Sequence, residues 1–238
     1  MTLTEPELGA FIVVFLRTAA VAATAPVIGD AGVPMRARLV FCVAVALALA
    51  ANRTGVQFAD LPVTALVELA SGVITGLTAR FVMARVAVAG QLLGLSLGLG
   101  FASEYDVHAG ESAGVLRMLA TTISGLAFLA ANGLEAIVRG VATPASPLVL
   151  LGTGDALLRE GTAAFGHGLA LAAPIVLAAL VGNVGLAVMN RAAPAVNVFA
   201  VALSAILVLG GVLMLATASS FVLGLSDVAR ESVRVLTP

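Results

Sequence analysis

Apolar residues in this chain come in long blocks rather than in stripes. Phe11 to Ile28, Leu61 to Ala79 and Ala195 to Leu225 offer no polar face at a spacing of 3.6 residues, so none reads as a surface helix with one wet side. Each block predicts a membrane span or a deeply buried helix. No segment alternates polar and apolar residues at period two, as a membrane β-barrel strand would. The pattern predicts an all-α fold, with apolar segments at about 9–28, 39–51, 62–79, 86–101, 115–133, 166–189 and 196–224.

The breaks between segments have local causes. Gly29-Asp30-Ala31-Gly32-Val33-Pro34 is a turn cluster, because glycine tolerates positive φ and Pro34 disfavours helix at Val33; a helix restarts near Pro34. Asn52 to Leu61 closes the second segment and opens the third, with Asp60 placed as an N-cap. The longest polar stretch, Gly140 to Gly166, holds Pro144, Pro147 and Gly152-Thr153-Gly154-Asp155, and reads as a loop with a short amphipathic helix from Asp155 to Phe165. At 1.5 Å per residue the second segment reaches about 20 Å and the last about 43 Å, against a hydrocarbon core of about 30 Å. Lengths this uneven suit an assembly whose helices are covered by other subunits rather than by lipid. No short-period repeat divides the chain, and residues 1–238 read as one subunit.

Composition sharpens the class. Apolar residues make up 61% and charged ones 11%, and mean hydropathy is +1.12; an ordinary soluble domain is about 25% charged. Net charge is -1 and no basic cluster exceeds two arginines, so nucleic acid is not an expected partner. The single cysteine, Cys42, lies in an apolar run and reads as a core residue. The N-terminus carries Glu5 and Glu7 where a signal peptide would be basic, so the first apolar run is expected to stay in the mature chain. If every segment crosses a bilayer, arginines 36, 38, 80, 85, 139, 159, 230 and 234 share one side and 53 and 191 the other, which predicts the first side as cytoplasmic.

Catalytic chemistry finds no foothold. His108 and His167 stand in no metal-binding motif, and neither a nucleophile elbow nor a phosphate-binding loop is present, so no enzyme activity, metal or cofactor is expected. Arg17, Glu68, Arg117 and Glu135 are charges within apolar segments, and we expect each to pair with another helix or reach an interface rather than form a proton pathway. Arg36 and Arg38 are two apart and lean to different faces of a helix. One is expected to face solvent or lipid headgroups and the other to pair with an acidic group.

Gly90, Gly94, Gly98 and Ala102 recur every four residues and so form one small-residue face for close helix packing; Gly72 and Gly76 follow the same logic. Beyond them the chain turns abruptly acidic through Phe101, Glu104, Tyr105, Asp106 and Glu111. Such a loop either faces solvent or projects its aromatics into a lumen and narrows it.

Four groups of residues, in order, resemble the FliR family of flagellar and type III secretion export-gate subunits. Phe15-Leu16-Arg17, Ala25-Pro26 and Val33-Pro34-Met35-Arg36-Ala37-Arg38 match its opening. A second match runs from Gly76 through Gly90, Gly94 and Gly98 to Phe101-Ala102 and Asp106; a third is Asn132-Gly133. The fourth is Asn190-Arg191-Ala192-Ala193-Pro194 with Asn197-Val198-Phe199. The chain departs from the family at Ala202 and Ser204, where glycine and proline are usual, at Val107 for proline, and at Glu104 for an aromatic.

The resemblance implies a hydrophobic membrane subunit of a helical hetero-oligomeric gate, made of a FliP-like and a FliQ-like part. It implies FliP-like, FliQ-like and FlhB-like partners, membrane lipid, and a channel for unfolded export substrates. The location implied is the bacterial inner membrane at the flagellar basal body. Phe101, Glu104, Tyr105 and Asp106 would form the pore plug. The competing readings are a virulence injectisome homologue and a small multi-pass transporter, for which Pro174 and Gly182 to Gly185 offer a helix break.

Overall fold

The computed structural model describes residues 4–97, 114–145, 147–192 and 198–236. Among these the chain is helical throughout its regular structure: α1 (Glu5–Thr24), α2 (Met35–Ala50), α3 (Leu61–Ser96), α4 (Val115–Ala130), α5 (Gly133–Ala142), α6 (Pro147–Ala192) and α7 (Val198–Leu236). The all-α expectation holds. Thr4 donates its N–H to the Glu7 carboxylate at 2.8 Å, which fixes the start of α1, and Pro6 falls in the first turn where its missing N–H costs nothing. At the other end, Ala25 to Gly29 turns sharply. Val27 has φ 66, and Ile28 N–H returns to the Pro26 carbonyl at 2.8 Å. Glycine would fit that backbone more easily, but the valine side chain packs against the core.

Several segment boundaries differ from the sequence reading. Segment 62–79 and the described part of segment 86–101, as far as Ser96, form one helix, α3, of 36 residues. Arg80 and Arg85 do not interrupt it, because arginine is a good helix former and no Gly/Pro cluster stands between the two blocks. The polar stretch after Gly140 is mostly not a loop, since α6 begins at Pro147 and runs 46 residues. Proline suits a first helical position, and glycines at about 1 kcal/mol each do not stop a long propagating helix. Pro174 lies inside α6 without ending it, so the helix break expected of a transporter is not found there. The segment 115–133 instead bends by 60° between α4 and α5.

The helices sort into two compact units, each built from separated stretches of sequence. The first takes α1, α2, the N-terminal part of α3, the last turn of α4, α5, the start of α6 and the end of α7, around Val14, Ala22, Ala46, Ala79, Phe128, Ile137 and Ala229. Cys42 is buried in this core, so a water-soluble maleimide should label it only after denaturation. The second takes the C-terminal part of α3, most of α4, the C-terminal part of α6 and the N-terminal part of α7, around Leu93, Ala120, Ala172, Ile175 and Leu225.

Among the described residues four helices are long and apolar enough to cross a membrane, or five if the bent pair counts as one span. They differ in cover. Half of the most apolar window of α1 is buried, but only 11% of that of α7, where Val212 and Leu215 are 58% and 81% exposed. Continuous exposed apolar faces of this kind require lipid or partner helices over them. The fusion of two segments into α3 also removes the crossing on which the arginine count depended, so the side assignment drawn from it no longer stands.

Candidate functional site

Among the described residues a buried node of charge in the first unit is a strongly organised polar group. Arg17, from the apolar middle of α1, is 3% exposed, and Glu68, from α3, is likewise 3% exposed. They face each other at 2.8 Å from Nη1 to Oε2. Arg53, in the link between α2 and α3, approaches the other carboxylate oxygen at 3.3 Å, and the Ala145 N–H donates to the same oxygen at 3.2 Å. One carboxylate thus serves two guanidinium groups. The second positive charge is answered by backbone. Arg17 donates to the carbonyls of Thr143 at 2.6 Å and Gly140 at 3.0 Å, while Arg53 donates to that of Val141 at 2.7 Å.

Those carbonyls belong to the last turn of α5 and its exit, where a helix has acceptors without intrahelical donors and the negative end of its dipole. The node therefore completes α5 while α5 completes the node. Burial is the largest influence on Arg53 and lowers its pKa; Glu68 raises it and Arg17 lowers it further. Arginine is basic enough to remain charged regardless. The sequence expectation for Arg17 and Glu68, pairing between helices, is what the geometry contains. The roles of Arg53 and of the α5 carbonyls were missed. Nothing in the sequence joins residues 17, 53, 68 and 140, and the only hint was a charge inside each of two apolar blocks.

Asn132-Gly133 makes the elbow that points α5 at the node. Asn132 has φ 62, a left-handed conformation that asparagine tolerates better than most residues. Gly133 lies against the ring of Phe128, which is fully buried, and a Cβ there would overlap the ring. Gly140 is held as closely by the Leu236 carbonyl at the end of α7. Each residue of the pair is thus explained by geometry.

Other residues singled out from the sequence are distributed as follows. Pro26 is buried in the turn after α1 and Pro34 is exposed just before α2. Arg38 donates to the Asp30 carbonyl, and Arg80 pairs with the Asp30 carboxylate at 2.9 Å, while Arg36 is exposed. Arg36 and Arg38 do differ in role, although Arg38 finds a carbonyl rather than a carboxylate. Glu135 pairs with Arg139 one turn away on an exposed face at 2.6 Å, and Arg117 is exposed on α4.

Gly72 packs against the Arg17 carbonyl, where a Cβ would come within 2.7 Å, and Gly76 against Thr24. Gly90 admits α4, with Arg117 Cα at 2.7 Å from an added Cβ, whereas Gly94 has nothing within 4 Å. Asn190 and Arg191 end α6, and Phe199 is near the start of α7. Gly98, Phe101, Ala102, Glu104, Tyr105, Asp106, Pro194 and Asn197 lie outside the described residues. No group of three or more His, Cys, Asp or Glu gathers as metal ligands among the described residues.

An all-α chain with four or five candidate spans among the described residues, exposed apolar faces and a buried charge node tying three elements together defines a hydrophobic membrane protein. The family model for bacterial export proteins, family 1, matches residues 8–232, and the chain belongs to that family. It is similar to the flagellar biosynthetic protein FliR of Caulobacter vibrioides, 29% identical over 238 residues and covering 94% of each chain. The FliR of Escherichia coli K12 is 29% identical over 84% of this chain and 81% of its own. That of Aquifex aeolicus is 30% identical over 81% of this chain and 78% of its own.

Proposed function

We propose that the chain is the FliR-type structural and gating subunit of a flagellar type III export apparatus in the bacterial inner membrane. The observation that carries this reading is the family match across residues 8–232. Exposed apolar faces on α6 and α7 support it, because a subunit of an assembly leaves such faces for its neighbours. In this reading residues 1–238 are one subunit with a FliP-like and a FliQ-like part, joined by FliP-like, FliQ-like and FlhB-like partners around a path for unfolded substrates. The relatives' flagellar names favour this over an injectisome homologue.

Expressed alone in mild detergent, the chain should aggregate or degrade, and co-expression with FliP-like and FliQ-like subunits should restore a defined complex by size-exclusion chromatography. A monodisperse monomer active alone in liposomes would remove the reading. The channel constriction is assigned to residues 101–111, on the resemblance and on the aromatic pair Phe101 and Tyr105. An apolar constriction holds back ions by dewetting. Phe101→Ala with Tyr105→Ala should therefore raise ion permeability of cells making the whole gate without changing its assembly; unchanged permeability would place the segment at the surface.

A further inference from the structure

An apolar cavity of about 190 Å³ lies wholly within the second unit, where α3, α4, α6 and α7 meet. Leu93 of α3, Ala120 of α4 and Ile175 of α6 line it and are buried. On one side it follows a single face of α4 through Leu116, Leu119 and Ile123, and on another a single face of α7 through Met214, Ala218 and Val222. At 1.5 Å per residue these two faces rise about 10 and 12 Å, so the cavity is a slot along the helices. It has a mouth, because Leu119, Ile123 and Val222 line it and are still 52%, 41% and 49% exposed.

The lining selects for hydrocarbon. Thr217 is its one hydroxyl, and that hydroxyl already donates to the Leu213 carbonyl at 2.7 Å within α7. Water finds no further partner there, and apolar cavities of about 150 Å³ stay dry and take small hydrocarbons. A partner helix, about 10–12 Å across with its side chains, is too wide to enter a slot of this volume and could lend it only a single side chain. Each lining helix also belongs to a candidate span, α4 as half of the bent pair. An unbranched chain running beside the helices suits the slot in length, width and chemistry.

We propose that this slot holds one acyl chain of a membrane lipid, entering past Leu119, Ile123 and Val222 and lying between α4 and α7. The proposal rests on reading the chain as membrane-embedded, and it does not depend on which proteins share the assembly. The chain fills a volume that would otherwise forfeit dispersion contacts on every side. No headgroup is specified, because no charged or unspent polar side chain lines the slot.

The test is photo-crosslinking of the assembly, recovered through a tag on this chain and reconstituted in phosphatidylethanolamine and phosphatidylglycerol vesicles. The probe is a trace of phosphatidylcholine with a diazirine midway along one acyl chain. Irradiation follows transfer into lipid-free detergent, so that only held lipid reacts, and labelled residues are read by mass spectrometry. Labels should gather on residues 116–123 and 214–222. Ala218→Phe, at an exposed position, puts a ring into the slot and should cut that labelling about tenfold. Thr217→Val should leave it unchanged or higher, a result that a misfolded variant could not give. Absence of label from these residues overturns the proposal, and so does labelling that is uniform over the exposed apolar faces and indifferent to Ala218→Phe. A fall in Thr217→Val would overturn it as well, by showing a ligand held through the hydroxyl. Recovery of the chain without other subunits would count against the export reading alone, since the labelling can still be read.

Discussion

Glu68→Leu should destabilise the α1–α3–α5 unit by about 3–5 kcal/mol, the cost of leaving buried charge without its partner. Removing this carboxylate strands two guanidinium groups at once, since Arg17 and Arg53 share it, and leaves the Ala145 N–H without its acceptor. The α5 carbonyls stay in place but carry only partial charge. Total stability of a folded domain is about 5–15 kcal/mol, so most of the chain should be lost to degradation. Arg17→Met should cost less, because Glu68 keeps Arg53, and Arg53→Met least, because its side chain is 13% exposed. Levels in membranes and detergent unfolding curves would rank the three. A charge swap of Arg17→Glu with Glu68→Arg should not rescue, since the new glutamate would face the carbonyls of Gly140 and Thr143 and the new arginine would face Arg53. Rescue by the swap would mean that the pair acts alone and that the backbone acceptors contribute nothing.

Gly133→Val is the second substitution with a large expected effect. Its side chain would enter the space of the Phe128 ring, which is at 0% exposure and has nowhere to move. Overpacking of this kind costs about 1–3 kcal/mol, and it falls on the elbow that sets the direction of α5. The node should loosen in consequence, because Arg17 and Arg53 take their acceptors from the far end of that helix. Phe128→Leu should recover part of the loss in Gly133→Val, and a double-mutant cycle on unfolding free energies would measure the coupling. Additive effects would show that Phe128 is not what glycine accommodates.

How far the sequence could be read depended on the range of the interaction. Apolar blocks and the turn at Gly29 to Pro34 are local, and both were legible: α1 and α2 lie where the blocks and Pro34 place them. The join of two blocks into α3 was not, because two arginines resemble a boundary when nothing shows that Arg80 will reach Asp30. The run of α6 through Gly152 and Pro174 was misread for a related reason. Local breakers have a modest cost, and a long helix packed elsewhere along its length overrides it.

At the node, Arg17 and Glu68 were visible as charges that needed partners, but their 51-residue separation hid the pairing. Arg53 looked like an ordinary loop cation, and the backbone acceptors of α5 have no signature in side-chain chemistry. Asn132-Gly133 was recognisable as a motif, yet its cause, a left-handed residue followed by one pressed against an aromatic ring, required the fold.

The central claim is that this chain is an indispensable part of a flagellar protein export apparatus. Its most direct test is export itself, in a strain whose chromosomal copy is replaced by an inducible, tagged one. Depletion should abolish secretion of filament and hook subunits into the medium while their synthesis continues, and re-induction of the wild type, but not of Glu68→Leu, should restore it. Normal secretion and motility after complete depletion would contradict the account.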